Sequence, residues 1–230
     1  MKQRKLGPFT VSSIGLGCMN LSHAYGVPPA ADAAADILLR ALDLGVTHFD
    51  TAALYGFGVN EELVGRTLGP HRSRFTLANK CGIYGVKSET GMRRVIDGRP
   101  AALKQNCEDS LRRLRTDVID LYYLHRWDKS VAIEESMGAL SDLVRVGKIR
   151  AVGLSEVSAV TLARARRASR RGGAERVLVV HAKPRNSSDR NLPPHWRDIR
   201  RIQPAGARLS CRRIVGSDIA RRQGPTWRRT

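Results

Sequence analysis

Val118-Ile119-Asp120-Leu121-Tyr122-Tyr123-Leu124-His125 decides the fold. The run is nearly continuous in apolar residues, as in a strand of a parallel sheet that is covered on both faces. Working outward, the same alternation of strand and helix recurs on each side. Upstream, Arg99-Pro100 opens a helix with proline in its first turn, and Leu103, Cys107, Leu111 and Leu114 recur along it at helical spacing. Downstream, Met137, Leu140 and Val144 mark the next helix and Gly147 ends it; Ile149 to Leu154 is a strand, and Ser158 can cap a further helix. Toward the N-terminus, Phe75 to Lys80 and Val46 to Asp50 read as strands. Glu61 to Leu68 is a short helix, Ala30 to Leu44 a longer one, and Ser12 to Cys18 the first strand. Arg4 to Val11, centred on Gly7-Pro8, fits a small hairpin serving as an accessory to a barrel floor.

Five strand–helix units thus occupy residues 1–165, about 33 residues each, and imply a parallel sheet that is either open and doubly wound or closed as a barrel. Eight such units would need more than the 230 residues of the chain. Composition agrees with a folded core: 42% of residues are hydrophobic and 27% charged, which excludes wholesale disorder. No apolar run approaches the roughly 20 residues of a membrane helix, and no apolar segment follows the basic start. Cys18, Cys81, Cys107 and Cys211 form no C-x-x-C pair, so no zinc site is expected and a reducing, cytoplasmic setting is. Nothing in the sequence specifies an oligomeric state.

Polar residues gather where the strands end, the rim on which parallel α/β folds build their sites. The second strand ends in Asp50, followed by Thr51-Ala52-Ala53-Leu54-Tyr55-Gly56; the third ends in Lys80, the fourth in His125 and the fifth in Ser155-Glu156. Taken singly, Asp50 reads as a helix cap, Tyr55 as a loop aromatic, Lys80 as a solvated charge and His125 as a core histidine. Together on successive strand ends they read as a site. A phenol is a poor acid near neutrality; a neighbouring ammonium favours its ionised form and a carboxylate can hold that ammonium. An imidazole can then orient a carbonyl oxygen. Gly15-x-Gly17 is not a dinucleotide fingerprint, because position 20 is Asn. On their own residues, Met19 and the cysteines read as packing.

Several local patterns, in order and at these separations, resemble the aldo/keto reductase superfamily from about Arg4 to Ala165. They are Gly15-Leu16-Gly17-Cys18-Met19; Phe49-Asp50-Thr51-Ala52 with Tyr55-Gly56; Asn79-Lys80-Cys81-Gly82; Leu121-Tyr122-Tyr123-Leu124-His125-Arg126; and Gly147-Lys148-Ile149-Arg150 with Gly153-Leu154-Ser155. The resemblance implies a (β/α)8 TIM barrel that reduces small carbonyl substrates with NADPH. It implies Tyr55 as proton donor, Lys80 and Asp50 as its tuners and His125 as the substrate-orienting group. It sets the nicotinamide near Gly17, Met19, Asp50 and Ser155. A non-enzymatic, cofactor-binding regulatory subunit of the same fold is the rival reading.

The net charge of +19 is unevenly spread: residues 1–165 hold 22 basic and 17 acidic residues, residues 166–230 hold 18 and 4. Seventeen of those 18 are arginine, among them Arg166-Arg167, Arg170-Arg171, Arg200-Arg201 and Arg228-Arg229. After Arg164 the pattern is expected to fail, with Val177 to Val180 the one strand-like run. A basic tail could bind nucleic acid or an anionic surface through phosphates. Against that, Trp196 and Trp227 are its only aromatics and make no stacking platform, so a nucleic-acid partner is not expected. A diverged end of the barrel is disfavoured by the missing periodicity, and arginine almost without lysine, mixed with Gly, Pro, Ala and Ser, fits a reading-frame shift near codon 165 of a GC-rich gene. A barrel lacking its last three strands would leave two sheet edges open and lose most of its phosphate and adenine surface.

Overall fold

The first residues pair as the glycine-proline turn suggests. In a computed structural model, which describes residues 1–22, 26–172 and the backbone of 177–182, β1 (Gln3–Leu6) and β2 (Phe9–Ser12) form an antiparallel hairpin. Gly7 takes the turn at φ 57°, a left-handed conformation that costs glycine little.

The strand expected over Ser12 to Cys18 is split in two. Ser12 Oγ donates to the Ile14 carbonyl at 2.6 Å and accepts from Thr47 N–H at 2.9 Å, while Ser12 N–H donates to Thr47 Oγ1 at 2.8 Å. Side chains thus take the backbone bonds a strand would need, and only β3 (Leu16–Gly17) joins the parallel sheet. There follow α1 (Ala31–Asp43), β4 (His48–Asp50), α2 (Val59–Leu68), β5 (Thr76–Cys81), β6 (Ile83–Ser88), β7 (Gly91–Ile96), α3 (Pro100–Leu114), β8 (Ile119–Leu124), α4 (Ile133–Arg145), β9 (Ile149–Val157), α5 (Ala159–Arg171) and β10 (Val177–Ala182).

The parallel sheet runs β10-β9-β8-β5-β4-β3, so each strand lies beside its neighbour in the chain once the β6–β7 hairpin is set aside. That order is singly wound, as in a barrel, and excludes the doubly wound alternative, whose strand order reverses at a switch point. Side chains alternate across it. Phe49, Leu77, Tyr122, Leu124, Val152 and Leu154 face the helices and join Leu38, Leu68, Leu103, Met137 and Leu140 in the main core. Ala78, Leu121, Tyr123 and Ala151 face the other way and pack with Leu6 and Val11 of the hairpin, which closes the floor as expected. Gly153 is required there, because a Cβ at this position would run into the Tyr123 ring.

Buried polar groups fix the bottom of the sheet. Asp120, 2% exposed, pairs with Arg72 at 2.6 Å and Arg150 at 3.0 Å and accepts from Leu77 N–H at 2.8 Å. Ser158 caps α5 as the sequence predicts, its Oγ accepting from Thr161 N–H at 3.1 Å.

The regular pattern does not stop at Arg164. Leu162, Ala165 and Ser169 form the buried stripe of α5, with Arg167, Arg170 and Arg171 on its exposed side. Beyond it β10 pairs in parallel with β9, Val177 opposite Val152 and Leu178 opposite Gly153. The stripe was hard to read because small residues carry it while paired arginines dominate the composition. The expectations for residues 183–230, including Trp196, Trp227 and Cys211, lie outside the described residues.

Candidate active site

The carboxyl ends of β3, β4, β5, β8 and β9 form one rim, and alternation decides which side chains enter it. Asp50, Lys80 and Ser155 stand in the same inward columns as Ala78, Tyr123 and Ala151, and His125 follows β8 directly. The loop after Asp50 is sewn to β5: Thr51 N–H donates to Ala78 O at 2.9 Å and Ala53 N–H to Lys80 O at 3.2 Å. Tyr55 then enters a short 3-10 turn, Tyr55–Gly58, with Gly56 at φ 58° and Gly58 at φ 102°.

Lys80 is the hub. Its ammonium donates to Asp50 Oδ1, to the Thr51 carbonyl at 2.9 Å and to the Tyr55 hydroxyl at 3.2 Å. The Tyr55 and His125 rings meet edge to face, with centroids 6.0 Å apart. Asp50, Tyr55, Lys80 and His125, separated by up to 75 positions in the chain, are therefore brought together.

The electrostatics differ from the sequence expectation in one respect. Burial raises the Tyr55 phenol above its ordinary range; Lys80 opposes this, but Asp50 offsets much of that charge, so the net shift is upward. Burial alone would depress the Lys80 ammonium, yet Asp50 and Tyr55 outweigh it and hold it above its usual value. Burial, with the cations Lys80, Arg126 and Arg94, pushes His125 down to about 3, so its imidazole is neutral at physiological pH. Its Nδ1 is buried with no hydrogen-bond partner among the described residues. Cys18 and Cys107 are pushed up to about 12 by burial and Cys81 is raised too, which makes them packing thiols.

The residues expected near a nicotinamide flank this centre. Gly17 is exposed, with no described residue beyond its chain neighbours within 4 Å of where a Cβ would stand, and Met19 is half-buried in the turn beyond it. Ser155, across the rim, accepts from Arg126 Nη1 at 3.2 Å and keeps its own O–H to donate. Three features were not foreseen. Arg126 ties Ser155 to Glu156, its Nη2 donating to Glu156 Oε1 at 2.8 Å. Asn60, fully buried, accepts from Thr51 Oγ1 at 2.6 Å and donates to Cys18 O at 2.8 Å and Ser22 Oγ at 2.6 Å, locking the loop after β4 to the loop after β3. The β6–β7 hairpin begins two residues after Cys81, whose carbonyl accepts from His125 N–H at 2.9 Å; the turn residues Ser88-Glu89-Thr90-Gly91 were its only signal.

A singly wound parallel α/β sheet, with an acid, a phenol, an ammonium and an imidazole gathered on its carboxyl rim, defines a class of α/β barrel proteins. The chain belongs to the aldo/keto reductase family, whose sequence profile matches residues 13–182. It is 44% identical over 164 residues to a Schizosaccharomyces pombe protein named as an NADP(+) aldo-keto reductase, yakc, covering 70% of this chain and 47% of that one. Among solved structures, a holo aldo-keto reductase of Bacillus halodurans matches with TM-score 0.66 and 32% identity, over 79% of this chain and 58% of its own. One from Klebsiella pneumoniae, in complex with NADP and acetate, matches at TM-score 0.53 and 33% identity, over 67% and 49%. These neighbours are TIM barrels, so the sheet described here is part of that fold. The chain spans about half the length of the curated relatives it matches. Among the described residues, no group of acids, histidines and cysteines could hold a metal, and no helix is long and apolar enough to cross a membrane.

Proposed function

We propose that this chain reduces small aldehydes or ketones to alcohols with NADPH, with Tyr55 as the proton donor. The observation that carries the reading is the Lys80 ammonium bridging Asp50 and the Tyr55 hydroxyl on the rim. The open surface over Gly17, with the Ser155 O–H and the His125 Nδ1 that find no acceptor or partner among the described residues, fits a nicotinamide and a carbonyl oxygen between them. The S. pombe relative's NADP(+) designation points the same way.

When bound, NADPH supplies the hydride for the carbonyl carbon. The rest falls to the chain. Neutral His125 steers the carbonyl oxygen toward Tyr55, whose hydroxyl delivers its proton to that oxygen. The Lys80 ammonium stabilises the phenolate left behind, and Asp50 keeps Lys80 charged and in place. Gly17, Met19, Asp50 and Ser155 hold the nicotinamide side.

The test is aldehyde-dependent oxidation of NADPH by the full chain, with cofactor binding measured in parallel. Binding together with turnover is the expected result. Binding without turnover of any aldehyde would favour a regulatory subunit, and loss of both would remove the reading.

A further inference from the structure

The hairpin β6–β7 is anchored at its base and open at its tip. Asp97 N–H donates to Gly82 O at 3.1 Å, Tyr84 OH to Asp97 Oδ2 at 3.1 Å, and Gly98 N–H to Asp128 Oδ2 at 3.1 Å. Its register pairs Gly85 with Arg94 and Lys87 with Met92, so Ile83, Gly85, Lys87, Met92, Arg94 and Ile96 share one face. No acid stands on that face. The Phe57 ring lies against it, because a Cβ on Gly85 would collide with Phe57 and with Met92. Phe57 itself follows Tyr55 by two residues and is held at φ 53°, a conformation a bulky residue rarely adopts. This face is therefore the one turned to the site, and the charge of Arg94 reaches His125.

The other rim cations are engaged: Lys80 with Asp50, Arg126 with Glu156. Arg94 is exposed and has no ion pair among the described residues. Met92, on the same face, and Phe57, which lies against that face and follows Tyr55 by two residues, are 46% and 37% exposed and form an apolar shelf beside Arg94. A guanidinium beyond an apolar shelf matches a ligand with a short apolar body and a terminal carboxylate.

We propose that Arg94 selects carbonyl substrates bearing a carboxylate, with Phe57 and Met92 beneath the part that joins the two groups. The proposal rests on the reading of Tyr55 and His125 as the carbonyl-binding groups. Two measurements separate it from that reading. In turnover, kcat/KM for 4-carboxybenzaldehyde over that for benzaldehyde is compared in the wild type, Arg94→Gln and Arg93→Gln, the last lying on the opposite face. The wild-type ratio should exceed unity and fall about tenfold in Arg94→Gln alone, with the preference weakening in high salt. In binding, the full chain is titrated by calorimetry with benzoate and with benzyl alcohol. Benzoate should bind about tenfold more tightly, and that margin should vanish in Arg94→Gln. A wild-type ratio near one, or the same ratio in all three proteins, overturns the assignment of Arg94 while leaving the reductase reading intact. If neither aldehyde is reduced the reductase reading fails, and the benzoate titration decides the Arg94 assignment by itself.

Discussion

Tyr55 is held protonated by burial, and that has a measurable consequence. Its phenol lies above its ordinary range, so the protonated form that the proposed reduction needs persists through neutral pH and is lost only as pH rises past that raised value. Reduction should be flat from pH 6 to 9, while alcohol oxidation, which needs the phenolate, should climb with pH; a reduction profile falling between pH 6 and 9 would contradict this. His125 gives a second test. Its folded value of about 3 lies below the ordinary 6.5, so the unfolded chain binds the extra proton first and stability must fall as pH drops from about 6.5 toward 3. His48, also depressed by burial, adds to the same slope. Urea midpoints across that range should show the decline, and His125→Gln should make it shallower. The gathering of Asp50, Tyr55, Lys80 and His125 on one rim was legible because each stands at or just after a strand end; the roles proposed for them come from the family resemblance. The net direction of the Tyr55 shift was not, since it depends on burial that no local pattern records.

At the level of elements, the five repeated strand–helix units could be read from period and punctuation, and Ser158 from its place before a helix. Ser158→Ala should cost about 1 kcal/mol in urea unfolding. Contacts between distant elements carry the rest. Glu61, fully buried on α2, joins Asn79 at 2.7 Å to Arg113 at 2.6 Å and so docks α3 against the strand that carries Lys80. Glu61→Gln should destabilise by about 1–3 kcal/mol, because it leaves a buried partner unsatisfied. Gly153→Ala should cost a similar amount, about 1–3 kcal/mol, by driving a methyl into the Tyr123 ring. No neighbouring residue announces either dependence. The β6–β7 hairpin escaped notice for a related reason: Arg93, Arg94 and Lys87 break the apolar alternation that would have marked its strands.

For the whole molecule, the parallel pattern continues through β10 at Ala182, past the codon-165 region where composition suggested a change of reading frame. We propose that the arginine-rich sequence after this strand reflects such a shift. Sequencing the gene there should reveal a frame that continues the strand–helix alternation; a confirmed frame and matching intact mass would instead make the basic segment a genuine part of the protein. The central claim concerns the rim and is tested most directly by single-turnover transfer of deuterium from C4-labelled NADPH to an aldehyde, in the wild type and in Tyr55→Phe. The account predicts labelled alcohol from the wild type, a loss of about 10²–10⁴-fold in Tyr55→Phe, and NADPH affinity unchanged within about twofold. Transfer at the wild-type rate in Tyr55→Phe would contradict it.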